Sequence, residues 1–114
     1  MENLNEFMLF FRMQPSTQQP TEAQITLMHQ QWGTYIGSIA GQGKLISTSR
    51  LGFEGNVIHH NQSVTAGIVI SEQQTLTGIM QIKAVNMEEA CELAKNCPVL
   101  ALGGSVEVRS TLSM

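Results

Sequence analysis

The 114-residue sequence predicts a single α+β domain that spans residues 1–114. Five segments rich in β-branched, aromatic or alternating apolar residues indicate strands, and two segments with apolar residues at helical spacing indicate helices. The main elements follow the order strand, helix, strand, strand, helix, strand, with additional structure in the middle of the chain. Apolar residues make up 42% and charged residues 13% of the chain, a balance typical of a protein with one compact core.

The first strand is predicted over residues 5–12, NEFMLFFR, because this stretch is almost continuously apolar. A polar loop with two prolines follows it. Thr21 and Gln24 form the pattern of a capping box, which predicts the start of the first helix. The glycines at residues 41–43 end that helix. Its predicted apolar stripe consists of Ile25, Met28, Trp32, Ile36, Ile39 and Ala40.

Two further strands are predicted after the first helix, over residues 44–51 and over the β-branched residues 63–70. The turn-rich connection between them, residues 52–62, leaves room for a short strand pair. A fourth main strand follows over residues 78–85, where apolar and polar residues alternate.

A second helix and a last strand complete the predicted domain. Asn86 and Glu89 indicate a helix cap, and the helix is predicted to stop at Pro98. In GSVEVRS, residues 104–110, the two valines are predicted to face the core while the charged residues face outward.

This order of elements is that of the split β-α-β, or ferredoxin-like, arrangement, in which an antiparallel sheet carries both helices on one face. The other face needs a cover, and the sequence predicts no third helix to supply it. We therefore expect a second copy of the chain to pack sheet against sheet. The predicted assembly is a homodimer, a dimeric α/β barrel.

The charge and the cysteines argue against several classes of protein. A formal net charge of −3 offers no basic patch for a phosphate backbone, so no nucleic acid is expected as a partner. No apolar run approaches the roughly 20 residues that cross a bilayer, and the N-terminus lacks the pattern of a signal peptide. A cytoplasmic protein with no membrane partner is expected. Cys91 and Cys97 fit neither redox motifs nor zinc spacing and are predicted to be core residues.

His29 is the candidate for general acid–base catalysis, because histidine titrates near neutral pH and this one lies on or beside the apolar stripe. The alternative is a boundary histidine that hydrogen bonds to a backbone carbonyl or to water. Its carboxylate partner would be Glu22, Glu54, Glu72 or Glu107. His59 and His60 are adjacent, which favours a solvated turn over a metal site, and no metal or cofactor is predicted.

Four other residues are candidates for ligand binding. Arg12 and Arg50 end or flank predicted strands, where a guanidinium could hold a carboxylate in a bidentate way; the alternative is a role in surface solubility. A pocket is predicted between the first helix, the sheet and the central hairpin, and its predicted lining consists of Tyr35, Trp32, His29 and Arg12. Interior glycines at every fourth position of this helix indicate either close approach to the sheet or space for a ligand or a second subunit.

The ending GGSVEVR, residues 103–109, resembles the last strand of the YCII-related family, whose bacterial members often finish on a Gly-x-Val-Glu-Val-Arg run. The segment FMLFFR is similar to the family's first strand, and GKLISTSRL to its Gly-x-Leu segment. TGIMQIKAVNMEEACELAKNCP is similar to its fourth strand and second helix. The resemblance spans nearly the whole chain and implies a dimeric α/β barrel of the ferredoxin-like type.

The family's Asp-Gly-Pro-Phe motif falls on residues 66–69, where only Gly67 matches it, and the chain contains no aspartate for the His–Asp dyad of another branch. The resemblance therefore implies a small-molecule-binding protein without assured catalysis, with a small acidic or aromatic ligand. The alternative is a His29-dependent acid/base enzyme, isomerase-like or lyase-like, that acts on such a substrate.

Overall fold

The computed structural model describes residues 4–15 and 21–112. The elements within these ranges are, in chain order, β1 (Asn5–Met13), α1 (Glu22–Gly41), β2 (Leu45–Arg50), β3 (Asn56–Ile58), β4 (Val64–Ala66), β5 (Thr75–Ala84), α2 (Met87–Ala94), α3 (Pro98–Ala101) and β6 (Ser105–Ser110).

The fold is α+β, as the sequence predicts. One antiparallel sheet has the strand order β2-β5-β1-β6, and β3 pairs with β4 in a separate two-stranded hairpin. The central strands are β1 and β5, which pair from Asn5 opposite Ala84 to Met13 opposite Thr75. No helix within residues 4–15 and 21–112 is long and apolar enough to cross a membrane.

One face of the sheet carries the core, because alternate residues of the central strands are buried there. The strands contribute Phe7, Leu9, Phe11, Met80, Ile82 and Ala84 to this core, and Val106 and Val108 pack against it as predicted. The helices complete the same cluster with Tyr35, Ile39, Ala90, Ala94 and Val99.

The opposite face is not covered by any helix in the part of the chain that the structure describes. Because side chains alternate along a strand, this open sheet face carries Met8 and Phe10 of β1 and Ile79 of β5 at its centre. Arg12 and Glu107 lie at its margin and form an ion pair.

Both predicted helix caps are confirmed. Thr21 and Gln24 form a reciprocal capping box at the start of α1, with Thr21 Oγ1 accepting from the Gln24 N–H at 3.2 Å. The Asn86 side chain accepts from the Glu89 N–H at 2.9 Å at the start of α2. These motifs are local, so a few residues determine them.

The prediction of a main strand over residues 63–70 is wrong. Only Val64–Ala66 is extended there, and it pairs with β3 in the hairpin. Of the short strand pair predicted within residues 52–62, only β3 lies in that range. Gly67 interrupts the strand with a φ of 107°. The position of the third main strand is occupied by β5, which begins at Thr75 and pairs with both β1 and β2.

The second helix also ends earlier than predicted. Its last residue is Ala94, and Pro98 starts the short helix α3, because proline is well suited to the first turn of a helix.

The glycines Gly33, Gly37 and Gly41 of α1 do not bring the helix close to the sheet. All three are exposed, and a Cβ added to any of them meets no atom within 4 Å. Gly104 is the opposite case, because a Cβ there would collide with the Arg12 carbonyl oxygen and lie 2.7 Å from Val99 Cγ2. Close packing therefore requires glycine before β6 but not along α1.

Candidate functional site

A groove of about 660 Å³ lies between α1 and the chain segment from the end of α2 through α3. We call it the helix groove. It is lined by Leu27, Gln30, Gln31, Thr34, Tyr35, Ser38, Ile39, Gln42, Leu93, Lys95, Asn96, Cys97, Pro98, Leu100 and Ala101.

The two walls of the helix groove come from distant parts of the sequence. The capping box starts α1, and its helical spacing places Gln31, Ser38 and Gln42 along one side of the groove. On the other side the chain turns after α2 and starts again at Pro98, which places the segment from Leu93 to Ala101 opposite α1.

A hydrogen bond of Tyr35 joins the two walls of the groove. The side chain of Tyr35 is buried, and its hydroxyl donates to the Leu93 carbonyl oxygen at 2.8 Å. Burial raises the pKa of Tyr35 above its usual range, and the nearby Cys97 raises it further. The hydroxyl therefore stays protonated at neutral pH and does not act there as a base.

The thiol of Cys97 is also protonated at neutral pH. Burial raises the pKa of Cys97 to about 11, although a backbone hydrogen bond from Val99 opposes the shift. Because a thiolate and not a thiol is the effective nucleophile, this cysteine is not activated for covalent catalysis. The burial of Cys97 confirms its prediction as a core residue, whereas Cys91 is only partly buried and lies outside the core cluster.

Lys95 supplies the positive charge at the rim of the helix groove. Its Nζ lies 2.7 Å from Glu92 Oε1, and this hydrogen bond raises the pKa of Lys95. The lysine therefore remains cationic at neutral pH, with a carboxylate beside it that balances its charge.

A second cavity, of about 370 Å³, lies at the base of the hairpin. Thr75 forms part of its wall and is buried, and its hydroxyl donates to the Val69 carbonyl oxygen at 2.7 Å. The cavity is lined by Leu51, Gly52, Glu54, Asn56, Val57, Ile68, Val69, Thr75 and Leu76. Residues of α1 do not contribute to it, so it differs from the pocket that the sequence predicts between the first helix, the sheet and the hairpin.

Of the three candidate residues on α1, only Tyr35 lines a cavity. Trp32 is half-buried and packs edge-on against Phe11 and Tyr35, with ring centroids 5.2 Å and 6.0 Å away. His29 is exposed on α1 and belongs to the lining of neither cavity. The structure therefore separates His29 from the buried aromatic cluster.

The two candidate arginines lie away from the helix groove. Arg12 Nη1 lies 2.7 Å from Glu107 Oε1, and its guanidinium is 6.0 Å from the centre of the Phe10 ring. Arg50 is exposed at the end of β2, opposite Gly78 of β5. The five predicted site residues are therefore not brought together into one site.

The adjacent histidines lie on the hairpin, where His59 Nε2 is 2.8 Å from the hydroxyl of Thr65. Among the described residues, no three His, Cys, Asp or Glu side chains are grouped so that they could hold a metal ion.

The polar residues that line the helix groove were not predicted from the sequence, although the sequence contains a pattern that indicates them. Leu27, Gln31, Ser38 and Gln42 recur at helical spacing beside the apolar stripe, and residues 23–43 contain no Asp, Glu, Lys or Arg. A line of uncharged hydrogen-bonding residues along a long helix is the pattern that indicates this wall.

Fold and cavities together define a small α+β domain with an amphipathic surface groove whose α1 wall carries no charged side chain. No protein-family model matches the chain, and no curated protein is significantly similar to it.

Proposed function

We propose that this protein binds a small molecule in the helix groove and does not transfer protons there. The observation that carries the proposal is the groove itself, whose volume of about 660 Å³ is in the range of ligand pockets. Its lining combines apolar side chains such as Leu93 and Pro98 with uncharged polar ones such as Gln31 and Ser38, the mixture that ligand sites use for affinity and orientation.

The protonation states in the groove favour binding over catalysis. A general acid or base works best when its pKa lies near the operating pH. Burial raises the pKa of Tyr35 and of Cys97, so both side chains are neutral at pH 7. The hydrogen bond to Glu92 raises the pKa of Lys95, so the lysine is charged. The alternative of an enzyme that depends on His29 has no observation in its favour, because His29 is exposed and outside both cavities.

The structure also changes the expected chemistry of the ligand. The acidic ligand inferred from the sequence relied on Arg12 and Arg50. The Arg12 guanidinium is paired with Glu107 on the margin of the open sheet face, and Arg50 is exposed at the end of β2. Tyr35, the candidate residue in the helix groove, belongs to the opposite side of the sheet. We therefore place the binding site at Tyr35 and without the arginines.

A groove-filling variant tests the binding function. Ala101 is exposed and lines the groove, so Ala101→Phe should fill part of it and leave the core intact. A ligand at about a hundred times its dissociation constant should stabilise the wild type by roughly 2.7 kcal/mol, which a thermal-shift screen of small metabolites detects.

The matched control is Ala40→Phe, at an exposed position of α1 outside the groove lining. We expect the thermal shift to disappear in Ala101→Phe and to persist in Ala40→Phe. An equal ligand shift in both variants would place the binding site elsewhere and contradict the proposal.

We also infer that the domain is ferredoxin-like and forms a homodimer through the open sheet face. The strand order β2-β5-β1-β6 supports the first part, and the apolar side chains of Met8, Phe10 and Ile79 on an uncovered sheet support the second. The resemblance to the YCII-related family points to the same assembly.

Phe10→Glu tests the dimer, because a two-fold interface contains each substitution twice and would bury two carboxylates. We expect sedimentation equilibrium to give a monomer for Phe10→Glu and a dimer for the wild type. Leu102→Glu, an exposed apolar-to-acid change after α3, serves as the control and should remain a dimer. A monomeric wild type would disprove this assembly.

A further inference from the structure

The α1 wall of the helix groove is polar but carries no charge. Gln31, Thr34, Ser38 and Gln42 follow one another at helical spacing along it. The Gln42 Nε2 group already donates to the Ser38 carbonyl oxygen at 3.1 Å, which orients the carboxamide and leaves its oxygen as an acceptor. This wall therefore offers hydrogen-bond donors and acceptors side by side.

The facing wall is mainly apolar. Leu93, Pro98 and Leu100 line it, and Leu27 of α1 continues the apolar surface at one end. Leu27 and Leu100 are both exposed in spite of their large side chains. A molecule that enters the groove would thus meet hydrogen-bonding groups on one side and hydrocarbon on the other.

Among the residues that the structure describes, Lys95 is the one charged side chain of the lining, and its ammonium group is paired with Glu92, whose Oε1 lies 2.7 Å from Nζ. The hydroxyl of Tyr35 and the thiol of Cys97 are neutral at pH 7. An ionic ligand would lose hydration in the groove without gaining a free opposite charge, which costs free energy. Charge complementarity therefore favours a neutral ligand.

From these features we propose that the ligand is an uncharged molecule that carries an amide-type group beside an apolar ring or chain. A carboxamide presents a donor and an acceptor together, so the amide of the ligand would pair with Gln31 or Gln42 while its apolar part lies on Leu93 and Pro98. The inference rests on the proposed binding function of the helix groove.

Three probes of nearly the same shape and different charge test this ligand class: benzamide is neutral, benzoate is an anion and benzamidine is a cation. Each is titrated into the full chain labelled with ¹⁵N, and the backbone amide resonances of Ser38, Leu93 and Ala101 report on the groove. We expect benzamide to shift these resonances and the two ions to bind at least about tenfold more weakly.

The outcomes separate this inference from the function on which it rests. If benzoate or benzamidine binds in the groove as tightly as benzamide, the groove is a binding site but the neutral class is wrong. If none of the three probes shifts these resonances, the ligand class is overturned, whereas the binding function is decided separately by the thermal-shift comparison of Ala101→Phe with Ala40→Phe.

Two matched variants complete the test. Gln31→Glu adds a carboxylate to the groove wall, so the preference should change from benzamide to benzamidine by about tenfold. Thr26→Glu adds the same charge at an exposed position of α1 outside the groove lining and should leave the order unchanged. Equal preferences in wild type and Gln31→Glu would contradict the contact with the α1 wall. The amide spectra of both variants show whether they are folded.

Discussion

The central strands with α2 form a densely packed region, whereas α1 and the hairpin form an open one. Leu9, Met80, Ile82 and Ala90 are completely buried in the first region. In the second, the 20-residue helix α1 has only two fully buried residues, and Ile58 of the hairpin is 72% exposed. The difference indicates that the first region provides most of the packing, while the second leaves large apolar side chains exposed.

The largest loss in the free energy of unfolding should come from shortening a side chain in the densely packed region. Leu9→Ala removes a completely buried side chain between the two sheet neighbours of β1 and should lower the free energy of unfolding by about 2–5 kcal/mol. Leu27→Ala, at a 54% exposed position of α1, should change it by less than about 0.5 kcal/mol. Urea unfolding measures both, and similar losses would show that α1 is as tightly packed as the sheet.

The next largest changes in the free energy of unfolding are expected from two glycine-to-alanine substitutions, one destabilising and one stabilising. Gly104→Ala should cost about 1–3 kcal/mol, because the new Cβ overlaps the Arg12 carbonyl oxygen and β1 must move. Gly37→Ala should stabilise the protein by about 1 kcal/mol, since its Cβ meets nothing and alanine favours the helix. The free energy of unfolding in urea gives the sign of each change.

A loss of stability in Gly37→Ala would mean that another molecule lies against this face of α1. The measurement should therefore be repeated at two protein concentrations, because a contact with a second copy would make the effect depend on concentration. An effect that is independent of concentration supports the open α1 surface that the structure shows.

The sequence predicts those parts of the fold that depend on neighbouring residues. The capping box at Thr21 and the cap at Asn86 need only residues three positions away, and β1 is indicated by its own continuous apolar run. Residues 63–70 show the limit of this reasoning. Their β-branched composition indicates extended chain, but the choice between the main sheet and a separate hairpin depends on partners elsewhere in the sequence.

The candidate site was harder to predict for the same reason. The helix groove forms only when α1 lies opposite residues 93–101, and no local pattern shows that they meet. Tyr35 was predicted as a pocket residue although it is not part of the predicted apolar stripe, and the structure buries it against the helix groove. His29 lies at the edge of that stripe, where a small rotation of the helix decides between a cleft and solvent, and the structure places it in solvent.

A smaller loss in the free energy of unfolding is expected when the hydrogen bond that joins the two regions is removed. Tyr35→Phe removes the bond from the Tyr35 hydroxyl to the Leu93 carbonyl oxygen and leaves that partly buried acceptor without this partner. We expect a loss of about 1 kcal/mol, measured by urea unfolding, together with faster amide exchange in α1 than in β5. Equal acceleration in both elements would mean that α1 and the sheet open as one unit.

The smallest effect should come from the ion pair of Lys44, which follows α1, with Glu89 of α2. The hydrogen bond from Lys44 Nζ, and then the one from the Val85 N–H, lower the pKa of Glu89 below its usual range. A lowered folded-state pKa stabilises the protein above the usual glutamate pKa, and the contribution disappears as pH falls through the folded value. Glu89→Gln should therefore be less stable than wild type near neutral pH and equally stable in acid, as measured by urea midpoints across that range. A difference that persists in acid would show that the charge of Glu89 is not its cause. Because glutamine keeps an acceptor for the Val85 N–H, such a difference would be assigned to side-chain packing, and α1 would be joined to α2 mainly through Tyr35.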